Sequence, residues 1–306
     1  MQQPVAMPMA TVKALLLAVA ICLPFLAESL QLDATADAHL AAKLQQLVQN
    51  LPDGPSKELM KSFAICGQCD HYGRYGEAAD GGYLTCLDNI EPGTASTHLE
   101  AAYSIGVADH DKWAADVARN LKLHVYQLDC TVPQGPPDCT DCTFYRKCAR
   151  SEDGHDDMYR GQSWTLQEIL ANTGHANAKD RSLMLKMDIE GGEWPILEVE
   201  NKTLLSKFNQ VIMEFHWLDR KFKHGQYVRA VQNLLQSGFR VTHIHGNNYA
   251  GMFSLGGYQI PTCMEVTLTS MGEPRSSCLK DQEYIAGLDR PCNPQNHNEL
   301  PMAHVP

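Results

Sequence analysis

The residues best suited to chemistry stand together between Leu183 and Trp194. There the apolar run Leu183-Met184-Leu185-Lys186-Met187 gives way to Asp188-Ile189-Glu190-Gly191-Gly192-Glu193. A nearly continuous apolar run reads as a strand buried on both faces of a parallel sheet, with Lys186 as its one departure. Asp188 and Glu190 are two residues apart, so they leave the same face of such a strand. Gly191-Gly192 lets the backbone turn and lets a ligand approach it closely. Acids at the carboxyl end of a buried strand are how an open α/β sheet presents binding groups to a crevice. The plainer reading of the same residues is an acidic strand-to-helix turn that serves no ligand.

Two histidines extend the set. His216 lies in Glu214-Phe215-His216-Trp217, at the end of the strand-like run Gln210–Phe215, and His245 closes the alternating run Phe239–His245 before Gly246-Asn247-Asn248. Histidine titrates near neutral pH and is the commonest general base. His216 is therefore the first candidate for taking a proton, with His245 and Asp188 in reserve. A structural histidine beside two aromatic residues is the competing reading. Asp188, Glu214, His216 and His245 fall at the ends of three successive strands and could converge on a divalent ion; no metal ligand is assigned.

Lys186-Met187-Asp188-Ile189-Glu190-Gly191-Gly192-Glu193-Trp194 resembles the K-I-D-x-E-G-x-E-W signature of FkbM-like and METTL-like class I methyltransferases, which use S-adenosylmethionine. Asp80-Gly81-Gly82-Tyr83, Tyr103-Ser104-Ile105-Gly106-Val107, Met213-Glu214-Phe215-His216 and His245-Gly246-Asn247-Asn248 resemble family landmarks in the right order, over roughly residues 60 to 270. The resemblance implies a Rossmann-like α/β fold, with a seven-stranded, mostly parallel sheet and an antiparallel hairpin at its edge. It also implies S-adenosylmethionine as cofactor, with Gly81, Gly106, Asp129, Asp188 and Glu190 as binding residues. Gly106-Val107-Ala108-Asp109-His110-Asp111 resembles the first cofactor loop, with one glycine where many relatives have several. Asp129 ends the next strand, Leu123–Leu128, at the place where a βαβ unit often sets an acid for ribose hydroxyls; a solvated turn aspartate is the alternative.

Methyl transfer from a sulfonium needs alignment in a dry pocket, and an alcohol nucleophile also needs a proton acceptor. The family analogy implies a glycan or small-molecule hydroxyl as substrate. A non-catalytic, disulfide-stabilised binding protein on the same scaffold is the second reading. A different nucleotide-binding α/β enzyme is the third; the absence of G-x-G-x-x-G counts against a dinucleotide enzyme.

The elements that must position these residues alternate between strand and helix. Leu40, Leu44, Leu47 and Leu51 recur at helical spacing, ending near Pro52-Asp53-Gly54-Pro55, and a second helical piece runs up to Cys66. Cys66 to Asn89 reads as irregular. Strands are expected at Ala101–Val107, Leu123–Leu128, Leu183–Ile189, Gln210–Phe215, Phe239–His245 and Cys263–Thr269. Helices are expected at Asp111–Leu121, from Thr165 with Ser163 as cap, from Trp194 to about Leu205, and at Tyr227–Ser237. Residues 131–160 read as an inserted loop stapled by disulfides. The resulting division is a leader over 1–29, a helical extension over 30–65, a methyltransferase domain over 66–272 and a Cys/Pro-containing tail over 273–306.

The chain has 306 residues, 44% hydrophobic and 20% charged, which fits a folded globular protein. Its net charge of -11 argues against a general nucleic-acid binder. Ala14–Ala27 is apolar apart from Pro24, too short for a comfortable span and suited to a signal peptide cleaved after Ser29, or to a signal anchor. Apart from such an anchor, no membrane association is expected. Of the 11 cysteines, Cys22 lies in the leader and ten remain, an even number that suits disulfides in a secreted or luminal protein. Bridges are expected within residues 66–86 and within 130–148. Cys66-x2-Cys69 and Cys139-x2-Cys142, with Cys148 nearby, have zinc-ligand spacing and form the rival reading.

Overall fold

The computed structural model describes residues 46–88, 90, 98–154, 161–270, 278 and 287–296. The leader and residues 30–45 of the helical extension lie outside this set. Seven strands form the central sheet: β1 Ala101–Ile105, β2 Val125–Leu128, β3 Cys142–Tyr145, β4 Leu183–Met187, β5 Phe208–Phe215, β6 Arg240–Gly246 and β7 Met264–Thr269. Their order across the sheet is β3-β2-β1-β4-β5-β7-β6. The first five are parallel, and β7 runs antiparallel to both β5 and β6. This is the mostly parallel seven-stranded sheet with an antiparallel edge that the sequence leads one to expect. The order reverses between β1 and β4, the kind of switch point beyond whose strand ends open α/β sheets bind their ligands.

Helices cover both faces: α1 Pro55–Ser62, α2 Lys112–Leu121, α3 Leu166–Asn172, α4 Glu193–Val199, α5 Lys202–Leu205 and α6 His224–Gln236. Every residue of β1, β4 and β5 is buried. Successive side chains go to opposite faces of a strand. Leu183, Leu185, Val211 and Met213 thus join the core under α1, α4 and α6, whereas Met184 and Ile212 join Trp113, Val117 and Leu121 of α2. Trp194 anchors the first core, its ring 4.6 Å from that of Phe215 and 3.9 Å from that of Tyr227. Leu47 and Leu51, two of the spaced leucines, are buried in this core, so the described end of the helical extension packs onto the sheet.

Several elements differ from expectation. The strand absent from the sequence reading is β3, inside the supposed loop; as an edge strand it is only half-buried along its length, which removes the apolar pattern. Cys66–Asn89 is not irregular: Tyr72–Gly76 and Gly82–Cys86 pair as an antiparallel hairpin. Thr165, not Ser163, caps α3, with Glu168 completing a reciprocal capping box. The helix expected over Trp194–Leu205 breaks at Glu200-Asn201, where Asn201 caps the short α5. A second hairpin, Met252–Leu255 with Tyr258–Pro261, lies between β6 and β7.

Cys69–Cys86, Cys130–Cys148 and Cys139–Cys142 form bridges inside the expected groups, and Cys66 reaches Cys278 across 212 residues. All five cysteines of the zinc alternative are therefore disulfide-bonded. Cys263 and Cys292 are buried thiols. The described part of the tail lies on the sheet: Asp289 meets His243 at 2.8 Å, and Asn293 and Asn296 bond with Asn248. No helix of the described residues is long and apolar enough to cross a membrane.

Glu200, buried where α4 ends, yields one prediction. Burial raises its carboxyl to about 7, against one backbone hydrogen bond from Asn201. A carboxyl raised in the folded state favours folding when protonated, so this contribution is complete below about pH 4.5 and is lost as pH rises through about 7. Glu200→Gln is expected to melt higher than the native chain at pH 8 and equally at pH 4. Thermal melts across that range check it, and a pH-independent difference would contradict it.

Candidate active site

Three chain segments meet at the β1/β4 opening. Gly106 follows β1 with φ 79°, and a Cβ there would stand 1.7 Å from the Asp188 carbonyl oxygen. Only glycine permits this approach of the two strand ends. The Lys186 ammonium donates to the Gly106 carbonyl at 2.8 Å and lies 3.4 Å from Asp188 Oδ2. Lys186, the polar exception in β4, thus ties the first loop to the acidic turn.

Asp129 ends β2 and organises the same loop. Its Oδ2 accepts from the Val107 and Ala108 amides at 3.0 Å each; its Oδ1 accepts from the Thr131 amide at 2.7 Å and hydroxyl at 2.6 Å. Burial disfavours the charge, but these hydrogen bonds outweigh it and hold the carboxyl below its usual range. Four donors fill the four acceptor directions of a carboxylate, so a ribose hydroxyl would have to displace one. Asp129→Ala is expected to weaken cofactor affinity by about tenfold or more, from lost loop order. Faster amide exchange at Val107 and Ala108 would accompany it; unchanged affinity would separate the loop from the cofactor.

The hairpin supplies the third segment. Its Gly81 sits in the turn with φ 77° beside Asp80, and Tyr83 points its hydroxyl between two acids, 3.2 Å from Asp188 Oδ2 and 3.1 Å from Glu214 Oε2. Burial, then Asp188 and Glu214, push the phenol well above its usual range, so it remains a donor. Asn247 donates to Glu214 Oε1 at 2.7 Å and to Asp80 Oδ1 at 3.1 Å, and Cys263 also donates to Glu214. Glu214 faces Glu265 across the β5–β7 pair. Burial first, and then Asp188 and Glu265, raise Glu214 to about 8. Asp80 and Glu265 are also raised, chiefly by burial.

His216 is held by a buried frame. Glu193 Oε1 accepts from the His216 amide at 2.7 Å and lies 3.2 Å from Nδ1, while Glu193 Oε2 accepts from the Gly191 amide at 2.8 Å. Trp194 Nε1 donates to the His216 carbonyl, and Trp217 Nε1 donates to the Glu190 carbonyl at 2.9 Å. Glu190 and Trp217 both have positive φ, 55° and 61°, the kind of backbone strain that collects at functional sites. The other ring nitrogen, Nε2, faces Glu190 Oε2 at 3.6 Å, Asp188 Oδ1 at 3.7 Å and Glu214 Oε1 at 3.8 Å. Burial disfavours the imidazolium, but the Glu193 hydrogen bond and the surrounding acids raise His216 to about 9.

Asp188, Glu190 and His216 thus come together, with Gly106 adjoining them and Gly81 next to Asp80. His245 stands apart: its register partner is Glu265, and its ring stacks near that of His243. In the sequence Lys186 stands out as the departure from its apolar run, Tyr83 and Glu193 appear only within motifs, and Glu265 is not singled out. A charged residue inside the apolar run Met264-Glu265-Val266 was the available signal.

Residues 162–241, which carry β4, β5 and the Asp188–His216 end of the site, match the methyltransferase FkbM domain. No curated protein matches the chain. Among solved structures, a Streptococcus thermophilus protein designated a hemolysin is 12% identical, over 64% of this chain and 73% of its own, with a TM-score of 0.35. M. jannaschii TYW2, solved in complex with AdoMet, is 8% identical over 57% of this chain and 71% of its own, with a TM-score of 0.25. A 16S rRNA (adenine(1408)-N(1))-methyltransferase variant from Catenulisporales acidiphilia is 10% identical over 70% and 100%, with a TM-score of 0.28. Scores this low add no argument; the weight falls on the family segment and on the sheet and site built around it.

Strand order, the glycine-ended β1 and the acidic end of β4 are those of the class I methyltransferase fold, and the matched segment supports an S-adenosylmethionine-dependent methyltransferase. Within that class the chain is FkbM-like.

Proposed function

We propose that this chain methylates a hydroxyl oxygen of a glycan or small molecule, in the secretory pathway or outside the cell. The observation that carries the reading is the crevice at the β1/β4 switch point, where Asp188, Glu190 and His216 meet beside the close approach at Gly106. Bound there, S-adenosylmethionine supplies an electrophilic methyl group on a positively charged sulfur. Gly81 leaves open space beside the site, Gly106 lets the ends of β1 and β4 close together beneath it, the Asp129-braced loop underlies the cofactor, and Asp188 and Glu190 offer negative charge to it.

Alkylation of a hydroxyl forms one oxygen–carbon bond as the carbon–sulfur bond breaks, and the hydroxyl proton must pass to a base. His216 can accept that proton only as the neutral ring, and the acids around it favour imidazolium up to about pH 9. At neutral pH Asp188, 3.7 Å from the ring, is the acceptor this reading prefers. His245, beyond Glu265, takes no part. Four disulfides support an oxidising compartment.

Calorimetric titration of the full, oxidised chain with S-adenosylmethionine, followed by transfer assays on a panel of hydroxyl, amine and carboxylate acceptors, tests the proposal. Micromolar binding with transfer to hydroxyls is expected. Transfer only to nitrogen or carboxylate acceptors would overturn the oxygen assignment, and no binding by folded chain would favour a non-catalytic binding protein.

A further inference from the structure

We propose that Asp188, Glu190 and His216 form a divalent-cation site of the manganese–zinc type at the ends of β4 and β5. One ligand atom from each of the three lies within 4.8 Å of the others. The separations of 3.6 and 3.7 Å from His216 Nε2 to the two carboxylates are too long for hydrogen bonds. They are close to the spacing of two ligands sharing a metal, roughly 3.1–3.6 Å for bonds of about 2.2 Å.

The histidine is the second and independent pointer. Its side chain is buried, with the residue only 9% exposed. Nδ1 is engaged by Glu193 and by the Glu214 carbonyl at 3.0 Å. Among the described residues nothing is hydrogen-bonded to Nε2, which is aimed into the carboxylate pair. A buried carboxylate behind one imidazole nitrogen fixes the tautomer and directs the other nitrogen at a metal. Glu193 is fully buried and stands in that position. On the other side, Asp188 Oδ2 is used by Tyr83 and Lys186, which leaves Oδ1 turned to the ring. Glu214 is occupied by Tyr83, Asn247 and Cys263 and serves as an outer partner. His245 is not among the ligands.

One imidazole with two carboxylates suits manganese or zinc better than magnesium or calcium, which prefer all-oxygen sets. The other clusters of suitable side chains are weaker. Cys69 and Cys86 are bonded to each other, and the Cys263 and Cys292 thiols are held protonated against Glu214 and Glu265. The role of the cation rests on the hydroxyl-methylation reading of this crevice: a cation here would lower the pKa of an acceptor hydroxyl bound beside it.

The test is binding, without turnover. Full-length oxidised chain, stripped with chelator, is titrated with Mn2+ while free ion is followed by electron paramagnetic resonance. Saturable binding of one ion per chain is expected, weakened at least tenfold in His216→Ala and in Glu190→Ala and unchanged in Glu200→Gln, with circular dichroism confirming the fold of each. Absence of binding, or binding indifferent to both ligand substitutions, overturns the site. S-adenosylmethionine affinity measured on the same samples separates the two proposals: a chain that binds the cofactor but no ion loses only the cation site.

Discussion

Asp188→Asn lowers methyl transfer by about a hundredfold or more while the chain melts near the native temperature. The activity loss follows from position. Asp188 stands at the switch point, 3.7 Å from His216 and within reach of the Tyr83 hydroxyl, and it is only partly buried. Removing one well-placed charged group from a site that exists to stabilise a transition state typically costs about 10²–10³ in rate. The stability follows from crowding. Asp188 raises both Asp80 and Glu214, after burial has already raised each, and this repulsion offsets what its charge contributes through Lys186 and the His216 imidazolium. Asparagine keeps an oxygen for Tyr83 and Lys186 while removing that repulsion. Turnover with S-adenosylmethionine and a thermal melt on one preparation decide the matter. Native turnover would remove Asp188 from the site, and a large fall in melting temperature would make it structural.

Gly106→Ala destabilises the chain by about 3 kcal/mol or more and abolishes cofactor binding. Two penalties coincide: the positive φ, which a side chain resists, and a Cβ position 1.7 Å from the Asp188 carbonyl oxygen. That oxygen is backbone and cannot rotate away. Relief would require separating β1 from β4, which are paired through Ile105 and Met187 directly beneath the loop. Gly81→Ala is the internal comparison. Its φ is 77°, but nothing lies within 4 Å of the added atom, so the expected cost is strain alone, about 1–2 kcal/mol. Urea unfolding of both variants checks the contrast. Equal midpoints would show that the close approach at Gly106 carries no weight.

The central strands were legible because their burial is two-sided: Leu183–Met187 and Gln210–Phe215 read as apolar runs, and their ends carry the acids and the histidine. Edges were less legible. Cys142–Tyr145 and the Tyr72–Cys86 hairpin lie among glycine, proline and cysteine, and much of their order comes from disulfides and from contacts distant in sequence. Gln210, for example, exchanges two hydrogen bonds with the backbone of Cys86. The site was legible as a list of residues more than as a geometry. Asp188, Glu190 and His216 follow from strand ends. The frame that Glu193 builds around His216 depends on a turn in which Glu190 and Trp217 both take left-handed backbone, which residue types do not announce. Asp129 was found for its place after a strand, yet its carboxylate is filled by its own loop. His245 satisfies the same rule as His216 but sits two strands away from it, beyond β7 and beside Glu265.

The concentration of acids around Asp188 also gives the crevice a sense of direction. With S-adenosylmethionine bound as proposed and no cation held between them, Asp188 and Glu190 would attract a positively charged sulfur, and that charge disappears once the methyl group has gone. The same side chains that favour loading of the cofactor would then release their grip on the spent, uncharged thioether, giving a built-in preference for fresh donor over used donor. Because that preference is electrostatic and part of the crevice is open to solvent, added salt would narrow it, making the spent cofactor a stronger competitor as ionic strength rises.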